Sequence, residues 1–320
     1  MAIIGTDISQ AKRFLSEGSL VGIPTETVYG LAANALDEEA VLNIFKVKNR
    51  PKFDPLILHT HSIDSVKQYV EYIPEKALKL ANTFWPGPLT ILLKKKAVIP
   101  DLITSGLDTV AVRIPNHELT LSLLSQLDFP LAAPSANPFG YVSPTTAQHV
   151  NQQLGDQIPY VLDGGACHIG VESTIIGFDD NDRPSVFRLG GKSIEEIEQL
   201  VGTVQISLNK SSNPVAPGML KSHYAPGKPV IIGNISELIK KHQSKRIGII
   251  SFSEDFSSSQ PAKQIILSSS SNLDHAAQGI FSALREMDAP EVDLIITEIF
   301  PEEGLGRAIN DRLQRASVRY

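Results

Sequence analysis

A single cysteine, Cys167, is present in the 320 residues, so no disulfide can form within the chain. Small secreted scaffolds depend on such crosslinks, and doing without them suits a reducing, cytoplasmic setting. Long apolar runs are missing too, since none reaches the ~18 residues that would span a bilayer. The opening stretch MAIIGTDISQAKRFLSEG lacks the basic-then-apolar layout of a signal peptide and reads as a first helix. A basic surplus is also lacking. The formal net charge is −6, which argues against tight, sequence-independent nucleic-acid binding, because that needs a basic face to displace counterions. No solenoid-like repeat recurs. What remains is an ordinary globular composition, 42% hydrophobic and 20% charged, in a chain long enough for two domains.

Residues 1–206 alternate short apolar runs with amphipathic segments. Strands are expected at 20–24, 56–59, 89–94, 110–114, 160–162, 173–178 and 185–189. Between them lie helical patterns such as 38–48, where Val41, Ile44, Phe45 and Lys48 share one face behind a capping Asp37. This mixture predicts an α/β fold with a mixed sheet. Residues 207–228, SLNKSSNPVAPGMLKSHYAPGK, have no sustained periodicity and read as a linker. Over 229–320 the rhythm restarts, with strands expected at 230–232, 247–252, 265–267 and 292–296 and helices at 236–242, around 276–287 and at 305–315. That pattern predicts a smaller, Rossmann-like parallel α/β domain. Its one GxG segment, Gly304-Leu305-Gly306, lies in the last helix region, so the dinucleotide fingerprint fails. The second domain therefore reads as structural or regulatory.

Polar residues set among apolar ones carry a desolvation cost that a fold alone does not require. Four segments show this. Gly22-Ile23-Pro24-Thr25-Glu26-Thr27-Val28-Tyr29-Gly30-Leu31 packs two hydroxyls and a carboxylate between apolar runs, although a turn would explain Thr25 by itself. Lys48-Asn49-Arg50-Pro51, followed by Asp54 and His59, sets cations at a helix end; they either complement the helix dipole or neutralise phosphates. Ala132-Ala133-Pro134-Ser135-Ala136-Asn137, continuing to Ser143-Pro144-Thr145, offers small residues that let backbone N–H groups approach an anion, and Ser143 is equally a helix cap. Gly170-Val171-Glu172-Ser173-Thr174 leads a polar triplet into a strand ahead of Arg188, and Arg113 is a charge inside Val110-Ala111-Val112-Arg113-Ile114-Pro115. Other signals are decoys. Gly190-Gly191-Lys192-Ser193 lacks the first glycine of a P-loop, His59 and His61 lack further zinc ligands, and Asp179-Asp180-Asn181-Asp182 lacks calcium-loop spacing. Cys167 beside His168 reads as a small residue in a glycine-rich turn.

Taken together, PTETVYGL, KNRP, WPGPLT, AVRIP, APSAN and ESTI resemble the YrdC family. With Pro217-Gly218-Met219, His223-Tyr224-Ala225-Pro226 and the ending GLGRAINDRLQRAS, the chain is similar to its long, two-domain threonylcarbamoyl-AMP synthase form. The resemblance implies a twisted mixed YrdC-like sheet and condensation of L-threonine, bicarbonate or CO2, and ATP to L-threonylcarbamoyladenylate and pyrophosphate. Magnesium would accompany ATP, with no protein metal ligands. A downstream transferase complex would pass the group to tRNA adenosine beside the anticodon, with at most weak tRNA contact here and no membrane involvement. It further implies that threonine meets Thr27, His59, Arg113, the backbone at Ala133, and Ser173. ATP would meet Lys48, Arg50, Asp54, Thr109, Ser135, Ser143, Arg188 and Tyr224, with Lys48 and Arg50 carrying catalysis through charge. Asp54 departs from the family, which more often has asparagine there. Two rival readings are a double-stranded RNA or tRNA-binding module and a carbamoyl transferase of the hydrogenase-maturation type. The first lacks net positive charge, and the second lacks its expected zinc-finger and acylphosphatase-like regions.

Overall fold

The computed structural model describes residues 1–179, 181–208 and 224–318. Of the linker expected at 207–228, residues 209–223 lie outside that description, His223 and Pro217-Gly218-Met219 with them. No helix among the described residues is long and apolar enough to cross a membrane.

The strands of the described residues build two sheets. The first uses β1 (Ile3–Gly5), β2 (Val21–Ile23), β3 (Gly30–Asn34), β4 (Ile57–His59), β5 (Leu89–Lys94), β6 (Thr109–Arg113), β7 (Leu131–Ala132), β8 (Tyr160–Leu162), β9 (Thr174–Phe178), β10 (Pro184–Arg188) and β11 (Gln205–Ile206). Its order is β1-β8-β2-β3-β7-β4-β6-β5-β9-β10-β11. Parallel pairs such as β4–β6 and β5–β9 alternate with antiparallel ones such as β4–β7 and β5–β6, so the sheet is mixed. The second sheet uses β12 (Val230–Ile232), β13 (Ile247–Ser251), β14 (Lys263–Ile266) and β15 (Leu294–Thr297) in the order β12-β15-β13-β14, all parallel.

Three departures from the sequence expectation have local causes. The opening stretch is not one helix. Ile3 and Ile4 favour extended backbone and pair with Tyr160 and Val161, and the helix Ile8–Ser16 begins only after Asp7, whose carboxylate accepts from the Ser9 and Gln10 N–H groups. β3, Gly-Leu-Ala-Ala-Asn, is made of residues with little strand preference and is extended because β2 and β7 flank it. β7 is two residues long, too short for any periodic signal.

One apolar cluster runs through both sheets' cores. It includes Val142 and Val171 from the mixed-sheet side with Ala276, Ala277, Ile280 and Phe281 from the helix Leu273–Met287. That helix buries residues at spacings of three and four, an amphipathic stripe. Each fully buried Val, Ile or Phe among them contributes about 1.5–3 kcal/mol.

Candidate active site

The helix Glu38–Lys48 starts at Asp37, whose side chain accepts from the Glu39 and Ala40 N–H groups at 3.0 and 3.2 Å. It ends at Asn49, in left-handed backbone with φ 52°, and Pro51 follows where no further helix can form. That stop fixes Lys48 in the last turn and turns Arg50 away from the helix axis. On β4, Ile57 and His59 share a face because side chains alternate, and parallel pairing sets Arg113 of β6 opposite His59. Beyond β2, Thr25 closes a turn: its hydroxyl donates to Val28 O at 2.6 Å and accepts from the Thr27 and Val28 N–H groups. The turn presents Thr27, whose Oγ1 lies 2.8 Å from Thr25 Oγ1 and accepts from Arg113 Nη2 at 3.0 Å.

Thr27, Arg50, His59, Arg113, Ala133, Ser135, Arg188 and Tyr224 line one cavity, together with Thr25 and Glu172. Its free volume is about 50 Å³, room for a few waters at roughly 10–15 Å³ each. Five other expected residues do not line it. Lys48 is fully buried behind it, and its ammonium donates to the carbonyls of Ser135 and Asn137, bracing that loop. Asp54 is buried against Arg50. Ser143 donates to Glu172, and Ser173 Oγ sits 2.7 Å from Thr90 Oγ1 while accepting from Arg188 at 2.9 Å. Thr109 stands at the opposite end of β6 from Arg113, beside Lys94, about 13 Å away at strand spacing.

The electrostatics follow a pattern. Carboxylates and guanidinium groups meet inside the protein in pairs: Arg50 with Asp54 at 2.9 Å, Arg113 with Glu26 at 2.7 Å, and Arg312 with Glu172 at 2.8 Å. Burying either partner alone would cost several kcal/mol, so each pairing lets a charge stand at or behind the cavity wall. Arg113 also donates from Nε to Gly87 O, and among the described residues its Nη1 has no protein partner. Burial, reinforced by the Arg113 charge, pushes the His59 imidazole down to about 3, so it is neutral at pH 7. Burial holds the Arg188 guanidinium down to about 10, still charged at neutral pH. Lys48 is held well below the usual lysine range, first by burial and then by Arg50, with Asp54 opposing. Among the described residues no group of three or more His, Cys, Asp or Glu is placed to hold a metal.

Three contributors went unnamed as site residues in the sequence reading. Glu26 and Glu172 stood inside the singled-out segments, and their burial at 0% and 6% exposure marks them as more than bystanders. Arg312 carries a subtler signal. In the helix Gly306–Ser317 it falls among Ala308, Ile309, Leu313 and Ala316, on the apolar face where a solvated arginine has no place.

Known proteins resemble the chain along nearly its whole length. A family model described as "Telomere recombination", covering the Sua5, YciO and YrdC proteins, matches residues 13–190. One described as "Threonylcarbamoyl-AMP synthase, C-terminal domain" matches residues 192–318. The threonylcarbamoyl-AMP synthase of Pyrococcus abyssi is 44% identical, over 96% of this chain and 93% of its own length. That of Bacillus subtilis is 39% identical, over 97% and 92%. The crystal structure of P. abyssi Sua5 complexed with L-threonine shares 41% identity and a TM-score of 0.92, covering 99% of this chain and 98% of that one. The chain belongs to the Sua5/YrdC family of threonylcarbamoyl-AMP synthases.

Proposed function

We propose that this cavity brings together L-threonine, CO2 or bicarbonate, and ATP, and that the chain releases L-threonylcarbamoyl-AMP and pyrophosphate. The observation that carries the reading is the convergence of Arg50, Arg113 and Arg188 with a neutral His59 on one enclosed site. Buried cations of this kind suit a small polyanion and a carboxylate rather than the backbone of a nucleic acid.

Threonine is assigned to Thr27, His59, Arg113, the backbone at Ala133, and Ser173. Its carboxylate takes the unpartnered Nη1 of Arg113, while hydroxyls and the neutral imidazole orient the amine and the side-chain hydroxyl. ATP is assigned to Arg50, Ser135, Arg188 and Tyr224 at the wall. Lys48, Ser143 and Asp54 act from behind it, and Thr109 would come into contact only if the nucleotide reached the far end of β6. The neutral amine adds to CO2 and gives up a proton to solvent, leaving a carbamate whose oxygen attacks the α-phosphorus as the bond to pyrophosphate breaks. No side chain need act as nucleophile, so the protein contributes positioning and charge stabilisation. Glu26, Asp54 and Glu172 are each tied to an arginine. This donor set suits Mg²⁺ that enters on the phosphates of ATP rather than in a protein cage. The product is a mixed anhydride, to be consumed by a transferase that modifies tRNA, in the cytoplasm.

Pyrophosphate release, measured with each substrate omitted in turn, tests the reading. Release should require ATP, threonine and bicarbonate together and should not require RNA. Equal release without threonine would sink the assignment.

A further inference from the structure

Arg312 lies in the last helix, Gly306–Ser317, which packs with the parallel sheet, yet its side chain ends against two residues that line the cavity, Glu172 and Tyr224. It is wholly buried, and all three guanidinium nitrogens are engaged. Nε donates to Glu172 Oε2 at 2.8 Å, Nη1 to Asp311 at 2.7 Å, and Nη2 to the Leu189 carbonyl at 2.8 Å. Its guanidinium lies over the ring of Tyr224, 5.0 Å from the centroid, and Phe281 stacks on that ring at 5.4 Å. Glu172 and Tyr224 both line the cavity. The other oxygen of Glu172 accepts from Ser143 at 2.6 Å. One arginine from the C-terminal part of the chain therefore fixes two wall residues and, through Glu172, Ser143 behind the wall.

We propose that Arg312 is a positioning residue for the nucleotide half of the site, holding Tyr224 in place and cancelling the charge that Glu172 would otherwise turn toward the triphosphate. This rests on the assignment of ATP to that half of the cavity. The chemistry gives the effect a direction. A buried carboxylate stripped of its partner repels a tetra-anionic nucleotide far more than a zwitterionic amino acid. The ring of Tyr224 also loses a cation–π contact. Loss of Arg312 should thus discriminate between the two substrates, which general destabilisation would not do. The second part of the chain gains a task by this route: it completes the ATP site.

The experiment uses the full chain with pyrophosphate release and calorimetry. Arg312→Met should raise the KM for ATP by about tenfold or more, while the Kd for threonine moves by less than about twofold. Adding Glu172→Gln to Arg312→Met should return the ATP KM to within about threefold of wild type, because the stranded charge is gone. Arg307→Ala cuts the exposed Arg307–Glu195 ion pair between the same two parts of the chain, away from the cavity, and should leave both constants unchanged. Where Arg312→Met does not fold, Arg312→Lys takes its place. It keeps the charge but not the fork that reaches Glu172, Asp311 and Leu189 together, so the ATP KM should rise by about threefold or more while the Kd for threonine moves by less than about twofold. An unchanged ATP KM in Arg312→Met, or in Arg312→Lys where it stands in, equal losses for both substrates, or no rescue by Glu172→Gln would each overturn the proposal. Wild-type protein that binds a non-hydrolysable ATP analogue without ever releasing pyrophosphate from ATP would defeat the proposed reaction instead. The Arg312 comparison would then be read from the analogue's Kd.

Discussion

Arg113 sits inside a strand with 4% exposure, and its neighbours explain how the charge survives there: Glu26 at 2.7 Å, the Thr27 hydroxyl at 3.0 Å and the Gly87 carbonyl at 3.2 Å. If the remaining Nη1 holds the threonine carboxylate, Arg113→Ala should weaken threonine binding by ~2–4 kcal/mol and ATP binding much less. The same substitution strands Glu26 as a buried charge, so part of any loss would be stability rather than binding. Arg113→Ala combined with Glu26→Gln separates the two, since it restores neutrality without restoring the guanidinium. Calorimetry in which ATP suffers more than threonine would remove Arg113 from the threonine site. Arg113 was legible in the sequence because Val-Ala-Val-Arg-Ile-Pro leaves a charge no polar company. Its pairing with Glu26 was not, because the two meet only when β6 comes to lie beside the turn after β2. Lys48 shows the reverse limit. Its position at a helix end was readable, but nothing local revealed that its ammonium would be taken up by the Ser135 and Asn137 carbonyls.

Among the elements, the segment that begins at Tyr224 contributes that ring to the cavity wall. Tyr224 has φ 65°, is 1% exposed and is stacked on Phe281. The chain just after it is pinned by Ala225 N–H to the Gly140 carbonyl and Gly227 N–H to Asp288, each at 2.9 Å. A segment that closes over bound ATP and threonine at this wall would keep water from the mixed anhydride. Tryptic cleavage at Lys210 or Lys221 should accordingly slow when ATP and threonine are added together, more than with either alone. A cutting rate unchanged at saturating ligand would leave the segment as a tether only. The strands at 89–94 and 160–162 were readable from their apolar runs, and the parallel sheet from its regular alternation. β3 and β7 were not, because their strand character is imposed by the strands on either side.

At the scale of the whole molecule, the parallel sheet's helices and the mixed sheet share one apolar core, and hydrogen bonds cross between them. Arg285 donates to the Val142 and Ser143 carbonyls and to Gln153, and the Tyr141 hydroxyl donates to Asp288 at 2.6 Å. Gly170 sits at the centre of this contact, two residues before Glu172. Its φ is 79°, and a Cβ added there would stand 2.4 Å from Gln278 Cα and 2.5 Å from the Ala277 carbonyl oxygen. Those are backbone atoms of a long helix, which cannot rotate aside as a side chain could. Gly202 provides the matching control, with φ also 79° but nothing within 4 Å of its would-be Cβ. Both Gly→Ala variants carry a positive-φ backbone cost of roughly 1–3 kcal/mol, and Gly202, with ψ −171°, lies in a region essentially confined to glycine. Only Gly170→Ala must also push a helix away, a strain of about 1–3 kcal/mol. Gly170→Ala should therefore lower the melting temperature clearly more than Gly202→Ala. It should also raise the KM for ATP, because the displaced helix carries Phe281 from beneath Tyr224 and shifts the loop that leads into Glu172. Equal melting temperatures for the two variants would mean that the helix backbone yields at Gly170 without cost. A lower melting temperature with an unaltered ATP KM would mean that the contact between the two parts of the chain serves stability alone.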